Sequence, residues 1–327
     1  MNLKRSAILT ITFLVLIILY FILENPFGSR KKEVPLQVVP GFNRPGAASI
    51  MIKSPETGEV NLSKEKGSWK VISQEKNYPA DTVPVNKLLE AVAEMKAETV
   101  ASKNPKNYEA FEVTETKAIE IIIADSAGAP LAHFWVGKNG PDLFSTYVRV
   151  QKSNQVILTS GLLKDVFEKE INDWRDKTVF TMNKEDITEY RIEGDMILHL
   201  KKDKNKAWQV LAPQAFPARK EAAENIIGKF ASLKAKGISE DNETKCQLDR
   251  PARTITTGLK NGQTKRLLVG REKNSFQHFI KAQAQETIFI IENYNLESFC
   301  PPHEMLKQEE NKEKQESDNT TDEVSEN

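Results

Sequence analysis

The sequence predicts an α+β fold written twice. It implies two tandem related modules, each an antiparallel sheet of about seven short strands with one main amphipathic helix, behind an N-terminal transmembrane helix. Three observations carry this. The chain repeats itself, because Trp69-Lys70-Val71 returns as Trp208-Gln209-Val210 and Tyr78-Pro79-Ala80 as Phe216-Pro217-Ala218. Each copy alternates apolar and polar residues over short runs, broken once by a segment of helical period. A stretch without charge, Ala7 to Leu23, opens the chain.

The repeat extends through most of the chain. Leu88, Leu89, Val92, Met95 and Val100 return as Ile226, Ile227, Phe230, Leu233 and Ile238. Trp135-Val136-Gly137-Lys138 returns as Leu268-Val269-Gly270-Arg271, and Tyr147-Val148-Arg149 as Phe279-Ile280-Lys281. The offset steps from about 139 to about 132 residues, as expected of an old duplication with indels confined to loops.

Taken in order, residues 1–24 read as a membrane anchor. Ala7–Leu23 is at the short end of a bilayer span. Lys4 and Arg5 precede it, and no Ala-x-Ala site or lipid-accepting cysteine follows, so an uncleaved signal anchor is expected. Arg30, Lys31 and Lys32 balance the flanking charge. The first-helix tendency then places the bulk on the periplasmic or extracytoplasmic side of the inner (cytoplasmic) membrane, as a single-pass protein. Residues 25–48, with Pro26, Gly28, Pro35, Pro40, Gly41 and Pro45, read as a semi-extended stalk.

The first module, 49–180, opens with three short strands around Ile50 and Ile52, Val60 and Leu62, and Trp69 and Val71. Asp81 and Thr82 then cap a helix with Pro84 in its first turn, its buried stripe being Leu88, Leu89, Val92 and Met95. Four more strands follow within 119–158, and a short helix closes the module. The second module, 187–303, repeats this order, with Ile226, Ile227, Phe230 and Leu233 as its helical stripe. Residues 304–327 read as a disordered acidic tail, because from Lys307 on they hold one aliphatic residue, Val324, and no aromatic.

Composition excludes several functions. Lys and Arg equal Asp and Glu at 46 each, although the basic residues exceed the acidic by six over 190–300. The lysines are scattered among acids rather than gathered in a stripe with aromatic platforms, so no nucleic-acid partner is expected. No metal site is expected, since His133, His199, His278 and His303 show no ligand spacing. His133 and His199 read as solvent-facing strand positions. Gly137 and Gly270 stand singly, so no phosphate loop exists, and each reads as serving the next turn. No catalytic or cofactor-binding constellation emerges, so the chain reads as a non-enzyme without cofactor. Cys246 and Cys300, the two cysteines, pair outside the cytoplasm only if the fold brings them together. Otherwise they are small buried hydrophobes. Trp69 and Trp208 read as core.

The run Trp69-Lys70-Val71, then Tyr78-Pro79-Ala80-Asp81 and a helix ending near Ala97-Glu98-Thr99-Val100, resembles the bacterial domain of unknown function 4340 family. The likeness is looser in the second copy, where Arg219-Lys220 replaces Asp81-Thr82. It implies a periplasmic module behind one membrane helix, associated with ABC-type transport systems of the gliding-motility kind. It carries no functional residues. The reading is therefore a membrane-anchored accessory or scaffold with protein partners in a membrane complex. A glycan- or peptide-binding module using the groove between the two repeats is the alternative.

Overall fold

The computed structural model describes residues 12–17, 36–73 and 76–308. Most of the expected anchor, 7–23, lies outside these; residues 12–17 are helical. Among the described residues no helix is long and apolar enough to cross a membrane.

Two antiparallel sheets form the fold. The first contains β1 (Ser49–Ser54), β2 (Gly58–Glu65), β3 (Ser68–Ile72), β4 (Tyr78–Pro79), β5 (Ala97–Ser102), β6 (Ile119–Ala124), β7 (Pro130–Asn139), β8 (Ser145–Val150) and β9 (Val156–Ser160). Their spatial order is β4-β3-β2-β1-β6-β7-β8-β9-β5. The second contains β10 (Ile187–Gly194), β11 (Leu198–Lys202), β12 (Trp208–Ala212), β13 (Phe216–Pro217), β14 (Gly237–Ser239), β15 (Arg253–Leu259), β16 (Thr264–Asn274), β17 (Gln277–Ala282) and β18 (Ile288–Glu292). Their order, β13-β12-β11-β10-β15-β16-β17-β18-β14, is the same path with every strand advanced by nine. An identical nine-strand path is what a duplication leaves behind.

Each sheet has nine strands rather than the expected seven or so. The additional ones lack a period-2 signal. β4 and β13 are two residues long, β14 is three, and β5 is exposed over Glu98–Ala101. One helix per copy buries the predicted stripe: Thr82–Glu94 with Leu88, Leu89 and Val92, and Lys220–Ala231 with Ile226, Ile227 and Phe230. Asp81 Oδ1 accepts the Val83 N–H at 3.0 Å, the expected cap.

The end segments differ from their compositional reading. Val38 N–H donates to Met95 O at 3.0 Å and Ala97 N–H to Leu36 O at 2.8 Å. Val38 and Val39 are buried, so residues from 36 on, read above as stalk, belong to the first fold. The second copy repeats this lead with its linker, where Val179 N–H donates to Leu233 O and Ala235 N–H to Lys177 O. Pro40, Gly41 and Pro45 hid a segment whose two valines suffice to hold it. At the other end Leu306 is fully buried and its carbonyl accepts the Arg219 N–H at 2.8 Å. Residues 304–308 therefore continue the second fold, and the tail from 309 lies outside the described residues.

Two compact units divide the chain: residues up to Glu59 with Lys87–Glu168, and Val60–Asn86 with everything from Lys169. Within the second unit Cys246, Leu248, Phe279, Ile288 and Ile290 form a smaller core cluster, and the main one joins Tyr78, Val179 and Phe180 to residues between Ile187 and Leu306. Its centre is Phe230, whose ring lies 5.2 Å from Phe180, 5.3 Å from Tyr190 and 5.7 Å from Phe299. Gly137 and Gly270 serve close approach rather than a turn. A Cβ there would lie 2.3 Å from Phe111 O and 2.1 Å from Cys246 O, so each lets a loop carbonyl rest on the strand.

Candidate functional site

A concavity of about 780 Å³ opens on the described surface of the second unit. Met196, Ile197, Pro213, Pro301, Pro302 and Met305 supply apolar wall, and Asp195, Arg253, Glu297, Cys300 and His303 the polar part. The β10–β11 turn presents Asp195, the head of β15 presents Arg253, and the end of the Asn293–Phe299 helix presents Cys300. A smaller hollow of about 210 Å³ adjoins it and shares Glu297, Pro301 and Met305. Ile197 and Met305 are 58% and 62% exposed, a cost in water that a partner surface would remove.

Two of the polar groups, Arg253 and Asp195, satisfy each other. Arg253 Nε lies 2.8 Å from Asp195 Oδ1 and Nη2 lies 3.0 Å from Oδ2, a planar fork on a carboxylate. That bond holds the Asp195 carboxyl below its ordinary range although burial opposes it. Burial also disfavours the Arg253 cation, but Asp195 and Cys300 together more than compensate and its pKa rises. The Cys300 thiol is pushed up to about 11, chiefly by burial and against the pull of Arg253. It stays protonated at neutral pH. Tyr190 Oη donates to Phe299 O at 2.7 Å and stays neutral, because burial raises its pKa well above the ordinary value. The arrangement is suited to gripping an apolar side chain or turn.

The first copy builds the same place differently. Its β6 pairs Ile119 with Val136 where β15 pairs Arg253 with Val269. Ile119 therefore holds the position of Arg253, and Ser54 Oγ donates to Glu168 Oε1 at 2.9 Å nearby. The sequence alone offers Cys300 only as a disulfide partner or a small buried hydrophobe, and Asp195 and Arg253 in no functional role. The available signal was an arginine in an apolar slot of the repeat.

The remaining sequence candidates fall elsewhere. Cys246 and Cys300 are both free and buried. Trp69 and Trp208 are 8% and 4% exposed, as core. His133 and His199 are half-buried rather than solvent-facing. Each meets the carboxylate of a neighbouring strand, Glu120 at 2.8 Å and Glu189 at 2.7 Å, because cross-strand neighbours share a face. Among the described residues no group of His, Cys, Asp and Glu is placed to hold a metal ion.

No curated protein and no solved structure matches the chain. The family described as Domain of unknown function (DUF4340) matches residues 69–210 and again 208–307, each match opening at the tryptophan of β3 or its counterpart β12. With two matches that together span 69–307, the chain belongs to the DUF4340 family and carries its domain twice.

Proposed function

We propose that the protein is a membrane-anchored, non-enzymatic module of the cell envelope that docks a protein partner in the cavity of its second unit. The carrying observation is that cavity: about 780 Å³, walled by methionine, isoleucine and proline, its arginine neutralised by Asp195. A site with a protonated thiol and a paired arginine favours holding over turnover. The uncharged run Ala7–Leu23 supports the anchor, and Phe13, Leu14, Val15 and Leu16 within it are exposed. The first-helix tendency supports an extracytoplasmic bulk, and the family resemblance supports an ABC-type transport complex as the setting. Burial of Trp69 and Trp208 removes the stacking platform that a glycan would use.

Fractionation tests the reading. Alkali-washed membranes should retain the full chain and lose a variant lacking 7–23. A reporter active only outside the cytoplasm, fused at the C-terminus, should be active. A full chain released by alkali, or activity only from a cytoplasmic reporter, would overturn the proposal.

A further inference from the structure

The outer face of the first sheet carries an arginine with no carboxylate. Arg149 on β8 stands opposite Trp135 on β7, and its guanidinium lies 3.8 Å from the Trp135 ring centroid. The loop before β6 brings a second ring, that of Tyr108, to 4.7 Å. Arg149 Nε donates to Val113 O at 2.9 Å, which fixes the plane of the fork. Its terminal amino groups have no protein partner among the described residues, and the side chain is half-buried rather than sealed.

The second copy shows what is missing. Val113 N–H donates to Tyr108 O and Leu248 N–H to Glu243 O, while Lys138 N–H donates to Phe111 O and Arg271 N–H to Cys246 O. These bonds make Tyr108 the counterpart of Glu243. Strand register makes Trp135 and Arg149 the counterparts of Leu268 and Lys281. In the second copy Lys281 is bonded directly to Glu243. The first copy keeps the cation as arginine, replaces its carboxylate by tyrosine, and adds a tryptophan beneath. Nearby acids do not fill the gap. Glu120 is engaged by His133 at 2.8 Å, and Glu115 makes no ion pair with Arg149.

We infer that Arg149, held against Trp135 and Tyr108, is a binding site for an oxyanion that supplies the missing carboxylate or a phosphate in its place. Two in-plane acceptor oxygens match the free edge of the guanidinium fork. The two neighbouring rings keep the fork rigid and shed its hydration at small cost. Arg253 and Arg149 differ in the corresponding way. Asp195 and Cys300 raise the pKa of Arg253 against burial, whereas burial lowers that of Arg149 and Tyr108, Glu115 and Glu120 only partly oppose it. An incoming anion stabilises the second and adds little to the first.

The test uses the full chain in detergent micelles, titrated at constant ionic strength with sodium acetate and, separately, inorganic phosphate. Tryptophan emission is the readout, and Trp135→Phe assigns the signal. The expected result is a saturable change with at least one anion, the stronger one naming the source chemistry. Arg149→Lys keeps the charge but loses the fork, and should weaken binding about tenfold. Tyr108→Glu installs the carboxylate that the second copy already tolerates, so it should leave the thermal midpoint near native and abolish binding. No saturable change with either anion, or native binding by Tyr108→Glu or Arg149→Lys, would overturn the assignment.

Discussion

Arg175 is among the most deeply buried charges of the second unit, at 3% exposure, and its surroundings predict an asymmetric response to mutation. Its Nη2 lies 2.6 Å from Glu240 Oε1, Nη1 donates to Asn172 Oδ1 at 3.2 Å, and the guanidinium covers the Tyr78 ring at 4.2 Å. Tyr78 Oη completes the circuit, donating to Glu240 Oε2 at 2.6 Å. The Arg175 side chain is 4% exposed and that of Glu240 45%. Removing the anion strands a cation that water cannot reach, whereas removing the cation lets the carboxylate turn to water. Breaking a fully buried pair costs about 3 to 5 kcal/mol. Since Glu240 is half in solvent, Glu240→Gln should cost about 2 kcal/mol, and Arg175→Met, whose thioether keeps contact with Tyr78, less than about 1 kcal/mol. Trp69, Trp174 and Trp208 lie in this unit and Trp135 does not. Urea unfolding followed by tryptophan emission in a Trp135→Phe background therefore reports it alone. A cost for Arg175→Met above that for Glu240→Gln would refute the argument.

Other outcomes follow from the same geometry. Trp69→Ala and Trp208→Ala should each lower stability by about 3 to 5 kcal/mol in urea titrations, as for large core aromatics. Truncation after Gln308 should leave the thermal midpoint unchanged. Truncation after Met305 deletes the fully buried Leu306 and should cost about 2 to 4 kcal/mol by the same measurement. Cys300 should resist alkylation at pH 8 until the chain is unfolded, since burial keeps its thiol protonated up to about 11. For Asp81, burial raises the pKa, but the Lys234 ammonium at 2.8 Å and the Val83 N–H bring it below 3.8. Its contribution to stability is thus complete above pH 3.8 and lost as pH falls through the depressed value. Lys234→Met should flatten the fall in unfolding midpoint as pH drops below 3.8.

The architecture was legible because apolar spacing survives duplication. Trp69 and Trp208, the Leu88–Met95 and Ile226–Leu233 stripes, and the alternation about Ile50 and Ile52 are all core in the structure. What escaped lacked periodicity. β4 and β13 are too short to alternate, and β5 is a half-exposed edge. Val38, Val39 and Leu306 are single apolar residues in polar, proline-rich surroundings, and their burial depends on partners far along the chain. The cavity was illegible for a related reason. Arg253 and Asp195 stand 58 residues apart, and only the β10–β15 register joins them. Arg149 was noticed as part of a repeated triplet. Its significance lies in the change from Glu243 to Tyr108, a position with no sequence pattern linking it to β8.

The central claim is that the Met- and Pro-walled cavity of the second unit holds a protein partner at the membrane. A photo-reactive phenylalanine analogue at Ile197, on the cavity rim, tests it in native membranes. The account predicts one adduct of defined size, lost when Met305→Glu is introduced and absent when the probe stands at exposed Glu193. No adduct from Ile197, or the same adduct from Glu193, would contradict it.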